Sequence, residues 1–142
     1  MASDPVLAAN TAVWLRKALQ DLQRVDRCLA AEPPDPEDAL FHCQQAAEKA
    51  LKAFLTWHDR PFRKTHDLSV VAKQCTEIDP TIQPQADQLD DLTDYAWAFR
   101  YPASFVEPSP VDVEAASSLA HQIVEEIKKR LPPEVQEAVK LA

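Results

Sequence analysis

The chain has 142 residues, a formal net charge of −8, twelve prolines and no glycine. With 46% hydrophobic and 27% charged residues it has a globular composition and enough length to bury one core. The missing glycine excludes a phosphate-cradling loop, a dinucleotide fingerprint and a nucleophile elbow, and the charge argues against a generic nucleic-acid coat protein.

Three cysteines, Cys28, Cys43 and Cys75, show no C-x-x-C spacing and are odd in number, so they imply neither a disulfide framework nor a zinc ribbon. All three fall at apolar positions of predicted helices, as core thiols of a reducing compartment would. The chain opens without a charged lead and an apolar run, and no stretch reaches eighteen apolar residues. The expectation is a soluble, cytoplasmic protein with no membrane contact.

A first helix starts near Pro5, with Asp4 as its cap, and carries Leu15, Ala18, Leu19, Leu22, Val25 and Leu29 on one face. Arg16, Lys17, Gln20, Asp21, Gln23 and Arg24 lie off that face. The prolines of residues 32–36 end it. A second helix runs from about Pro36, capped by Asp35, to about His58. Its buried stripe is Cys43, Ala46, Ala47, Ala50, Leu51 and Phe54, and His42, Gln45, Lys49 and Lys52 fall on the other side. So many alanines allow a neighbouring helix to approach closely, which makes this the central helix of a bundle.

The connection Asp59-Arg60-Pro61-Phe62-Arg63-Lys64-Thr65 is tight and basic, and Thr65 reads as the cap of a third helix bearing Leu68, Val71, Ala72 and Cys75. A fourth helix is predicted from about Pro84 to Phe99, followed by the proline-broken segment 100–108. Ser109-Pro110-Val111-Asp112 begins a fifth, with Lys128, Lys129 and Arg130 in its last turn. Val135, Val139 and Leu141 either form a last short helix or fray. There is no β-pattern. The fold class is all-α: an antiparallel up-and-down bundle of four main helices plus a short one, in a single domain with its core at about 5–131 and a tail at 132–142.

No histidine pair has the zinc-protease spacing, and no metal site or cofactor is expected. His58 sits at the edge of the buried stripe, where packing is its simplest role, and His121 reads as an exposed residue. His66-Asp67 stands at a helix start beside Arg60, Arg63 and Lys64, an arrangement that either holds a phosphate or merely caps a helix in solvent. Arg100-Tyr101-Pro102 either binds phosphate and stacks a base or satisfies the last carbonyls of a helix.

Three stretches resemble the HEPN (higher eukaryotes and prokaryotes nucleotide-binding) domain: Trp14-Leu15-Arg16-Lys17-Ala18 with Asp21-Leu22, the run from Phe41 to Ala53, and Thr65-His66-Asp67-Leu68. Arg100-Tyr101-Pro102 looks like the family's usual end of the fourth helix. The resemblance covers Trp14 to about Leu131. It implies a helical bundle that forms a homodimer and often pairs with a small nucleotidyltransferase-like protein in a toxin–antitoxin-like module. Many catalytic members are metal-independent RNases with an Arg-x(4–6)-His motif. Here the positions that should offer the histidine after Arg100 hold Phe105, Val106 and Glu107. Loss of the imidazole removes a proton carrier that contributes about 10²–10⁴ in rate.

The expectation is therefore a non-catalytic HEPN protein that binds a nucleotide or RNA or serves as a nucleotidyltransferase's partner. Lys49, Lys52 and Arg100 would hold phosphate, Tyr101 would stack or hydrogen-bond, and His66, beside Asp67 at the turn, would position that turn. Two alternatives stand beside it. One is an RNase with a diverged site using Arg100 and His66 or His58; the other is a purely structural bundle.

Overall fold

The computed structural model describes residues 4–62, 64–65, 67–95 and 108–141. Every regular element among them is helical: α1 (Pro5–Ala30), α2 (Pro36–Trp57), α3 (Leu68–Ile78), a 3₁₀ turn (Pro80–Ile82), α4 (Gln83–Ala86), α5 (Asp90–Tyr95), α6 (Pro110–Lys129) and α7 (Pro133–Leu141). Among the described residues no helix is long and apolar enough to cross a membrane.

The two long helices begin as their caps predict. The Asp4 carboxylate accepts from the backbone N–H groups of Val6 and Leu7, and that of Asp35 accepts from Asp38, each just ahead of a first-turn proline. A short linker returns the chain, so α2 runs antiparallel along α1: Asp35 donates its N–H to the Cys28 carbonyl, while Asp21 meets Lys49 and Trp14 meets Lys52 further down. Alanines are frequent in the core of both helices. Ala8, Ala12 and Ala18 of α1 and Ala39, Ala46, Ala47, Ala50 and Ala53 of α2 are all buried. Small side chains let the helix backbones draw close, and the larger Leu15, Leu40, Leu51, Phe54 and Leu55 fill the remaining core. α6 and α3 pack on α2, and α7 lies against α1.

A chain without glycine must end α2 by other means. Asp59 takes the left-handed conformation, with φ 53°. Its N–H donates to the Thr56 carbonyl and that of Arg60 to Leu55, which together form a Schellman cap with aspartate where glycine usually stands.

Several expectations are corrected. The cap of α3 is Asp67 and not Thr65: Asp67 Oδ1 accepts from the Ser69 N–H, and Thr65 Oγ1 instead accepts from the Asp67 N–H. Thr93 of α5 also receives the Leu68 N–H, so the start of α3 is held from two sides. The helix predicted from Pro84 is interrupted at residues 87–89, where Leu89 turns inward to the core. Asp21 is buried, although the apolar pattern puts it off the core face. α2 is buried nearly all round, since Gln44, Glu48 and Lys52 are covered as well. Leu29, assigned to the apolar face, is 37% exposed at the end of α1. Cys43 and Cys75 are buried free thiols whose pKa burial pushes up to about 12, whereas Cys28 is half-buried.

The far end of α6 is tied down by Arg130. Its guanidinium donates to Asp79 Oδ2 at 3.1 Å, Glu126 Oε2 at 2.9 Å and Thr81 Oγ1 at 2.9 Å. The same Asp79 ends α3 and caps the 3₁₀ turn. One planar fork therefore joins three segments.

Candidate functional site

The polar groups gather along the seam between α1 and α2. At its centre is the Asp21 carboxylate, 1% exposed. Oδ1 accepts from His42 Nδ1 at 2.9 Å and Arg24 Nη1 at 3.2 Å, and Oδ2 accepts from Lys49 Nζ. Pairing with a carboxylate places the ring hydrogen of His42 on Nδ1 and leaves Nε2 away from Asp21. A buried carboxylate is tolerated only when its lone pairs are met, and three donors from two helices meet them here.

The same stretch of α2 carries a second polar group. Gln45 donates to Gln44 at 2.6 Å, Gln44 donates to Glu48 at 3.1 Å, and Lys52 donates to Glu48 at 3.1 Å. The Lys52 ammonium also lies 5.5 Å from the ring centre of Trp14 and 5.2 Å from that of Phe62. Those two rings meet edge to face at 5.5 Å. An ammonium against two aromatic faces is favoured by their quadrupoles. Lys17 approaches the same indole at 5.9 Å. Phe62 belongs to the basic connection after α2, so its ring pins that connection to the seam.

The seam therefore carries four cations (Lys17, Arg24, Lys49 and Lys52) against two carboxylates, on a chain of net charge −8. Arg24 is half-exposed, and His42 and Lys49 are about one-fifth exposed, so the Asp21 cluster reaches the surface on its basic side.

The predicted site residues are distributed unevenly over this geometry. Lys49 and Lys52 both lie on the seam, but face α1 and are engaged in internal ion pairs rather than standing on an open polar side. Asp67 is exposed and caps α3, with its Oδ1 also accepting from the Ser69 hydroxyl at 2.6 Å. His66, Arg100 and Tyr101 lie outside the described residues, as does Arg63. His58 tilts over Phe54 with ring centres 4.4 Å apart, and His121 is exposed beside Asp26 at 3.3 Å. Among the described residues no three His, Cys, Asp or Glu side chains gather as a metal-binding group.

Sequence reasoning missed Asp21 with His42 as one cluster and Trp14 with Phe62 as another. A signal existed for the first: a lone acid among Arg16, Lys17 and Arg24, opposite a second helix carrying His42, Lys49 and Lys52. Nothing local in the sequence brings Phe62 back to Trp14.

The molecule is thus an all-helical protein with a charged, aromatic-flanked seam between its two longest helices. Residues 11–131 match the model of the HEPN domain, and the chain belongs to the HEPN family. Membership points to a nucleotide-binding or RNase-like role. Comparison with curated proteins and with solved structures gave no match.

Proposed function

We propose that this protein is a non-catalytic HEPN protein that binds a nucleotide, as the helical partner subunit of a cytoplasmic nucleotidyltransferase-like protein in a toxin–antitoxin-like module. In this reading the four main helices form an antiparallel bundle and two copies form a homodimer. The observation that carries it is the seam's excess of cations beside Trp14 and Phe62, on an otherwise acidic chain.

A polyphosphate needs cations whose partners do not cancel them. Arg24 and Lys49 share one carboxylate, so an anion reaching their exposed side meets a net positive charge. Arg100 would add a guanidinium, Tyr101 a stacking surface, and His66 with Asp67 the shape of the turn. Lys52, paired with Glu48 and covered by two rings, would act by holding Trp14 and Phe62 in place. The residues after Arg100, with Phe105, Val106 and Glu107 where the family's RNases carry histidine, support binding over cleavage.

Calorimetric titration with nucleoside triphosphates tests this reading. Binding is expected, and Lys49→Met should weaken it about tenfold, the size of one charge-assisted hydrogen bond. Absence of binding by both the protein alone and its complex would overturn the nucleotide role.

A further inference from the structure

A second feature lies at one end of the molecule, where the last turn of α1, the proline linker and the first turns of α2 and α6 enclose a cleft of about 840 Å³. Its walls include Leu29, Pro33, Pro34, Pro36, Pro110 and Val113, a surface that is mostly aliphatic. Leu29 is among the few large apolar side chains left exposed, and Val111, beside the cleft in sequence, is 75% exposed. Proline rings hold a fixed φ and carry almost no side-chain freedom, so such a wall loses little entropy when covered.

The charge around the cleft is predominantly negative. Glu114 lines it, and Glu32, Asp35, Glu37 and Asp112 directly adjoin lining residues in the chain. Against these five carboxylates, among the described residues, the last turn of α1 offers the cation Arg27. Apolar walls under an acidic rim repel nucleic acid and complement a cationic polypeptide that carries apolar anchors.

We propose that this cleft is a docking site for a basic segment of a partner protein, with aliphatic side chains seated between the prolines and Lys or Arg side chains meeting the acidic rim. The site is separate in residues from the α1–α2 seam, and the proposal stands whether or not the seam binds nucleotide.

A random peptide library displayed on phage and selected against the full-length protein tests it, followed by anisotropy titration of the best synthetic peptides. Enriched peptides should combine two or more Lys or Arg residues with aliphatic ones. Ser117→Trp, which fills the cleft from a partly covered position, should weaken their binding at least tenfold, as should the rim reversal Asp112→Lys with Glu114→Lys. The same charge change placed on α7, Glu134→Lys with Glu137→Lys, should leave binding within twofold. Equal loss with the α7 pair would reduce the effect to net charge and overturn the proposal. So would enrichment of acidic peptides, binding indifferent to Ser117→Trp, or self-association abolished by Ser117→Trp, which would assign the cleft to a second copy.

Discussion

Lys49 on α2 donates its ammonium to Asp21 on α1, a carboxylate that is 1% exposed and that also receives His42 and Arg24. This contact fixes the register of the two longest helices and sets the charge of the seam. Removing the acid leaves three donors without a common acceptor, two of them only about one-fifth exposed. Asp21→Ala is expected to cost roughly 3 kcal/mol, read as a lower urea midpoint at unchanged slope. Asp21→Asn keeps the shape but removes the negative charge. It should destabilise less and, in the same titration used for the wild type, bind nucleoside triphosphates more tightly. Equal stability of Asp21→Ala and the wild type would mean that the seam is not held by this carboxylate.

The end of α2 gives an independent check on the backbone. Asp59 occupies a left-handed position with φ 53°, which an aspartate tolerates and a β-branched residue does not. Asp59→Gly should stabilise by about 0.5 kcal/mol, the relief of strain being partly offset by a freer unfolded chain. Asp59→Val should destabilise by more than about 1 kcal/mol. Thermal unfolding of the two variants would show the opposed shifts, and shifts of the same sign would contradict the cap.

Much of this architecture is legible in the sequence because it rests on local chemistry. Proline after an Asp or Ser cap starts α1, α2 and α6 where expected, and alanine periodicity marks the buried stripe of α2. What escapes the sequence is set by tertiary pairing. A polar residue such as Asp21 reads as solvent-facing until α2 brings Lys49 and His42 to it. Thr65 and Asp67 are both good caps, and only the ladder of α3 decides between them. The predicted fourth helix breaks at residues 87–89, where the Gln88 and Leu89 N–H groups donate to the carbonyls of Gln85 and Ala86, three residues back, while Leu89 keeps the buried place its spacing gives it. Of the site residues, Lys49 and Lys52 were identified from their helix face, but their engagement with Asp21 and Glu48 depends on side chains that periodicity cannot pair.

Acid should weaken the fold in two steps. The His58 pKa is lowered from 6.5, chiefly by burial against Phe54 and further by Arg60, with Asp79 opposing. The unfolded chain therefore binds that proton first, and this part of the stability is present above pH 6.5 and lost as pH falls below it. Asp79 is held below 3.8 by the hydroxyl and N–H donated from Thr81, with Arg130 adding to them. Its contribution is full above pH 3.8 and lost as pH drops through the lower folded value. Denaturation midpoints between pH 7 and pH 3 should fall, His58→Phe should flatten the upper part of that fall and Asp79→Asn the lower. Parallel curves for wild type and both variants would contradict these assignments.

Whether the protein binds or cleaves is decided most directly with end-labelled single-stranded RNA, incubated without metal beside an Arg100→Ala variant. The proposed function predicts intact RNA with both proteins, because Phe105, Val106 and Glu107 offer no imidazole to move the 2′-hydroxyl proton. Cleavage by the wild type that disappears in Arg100→Ala would contradict the account and establish an RNase with a rearranged acid–base group.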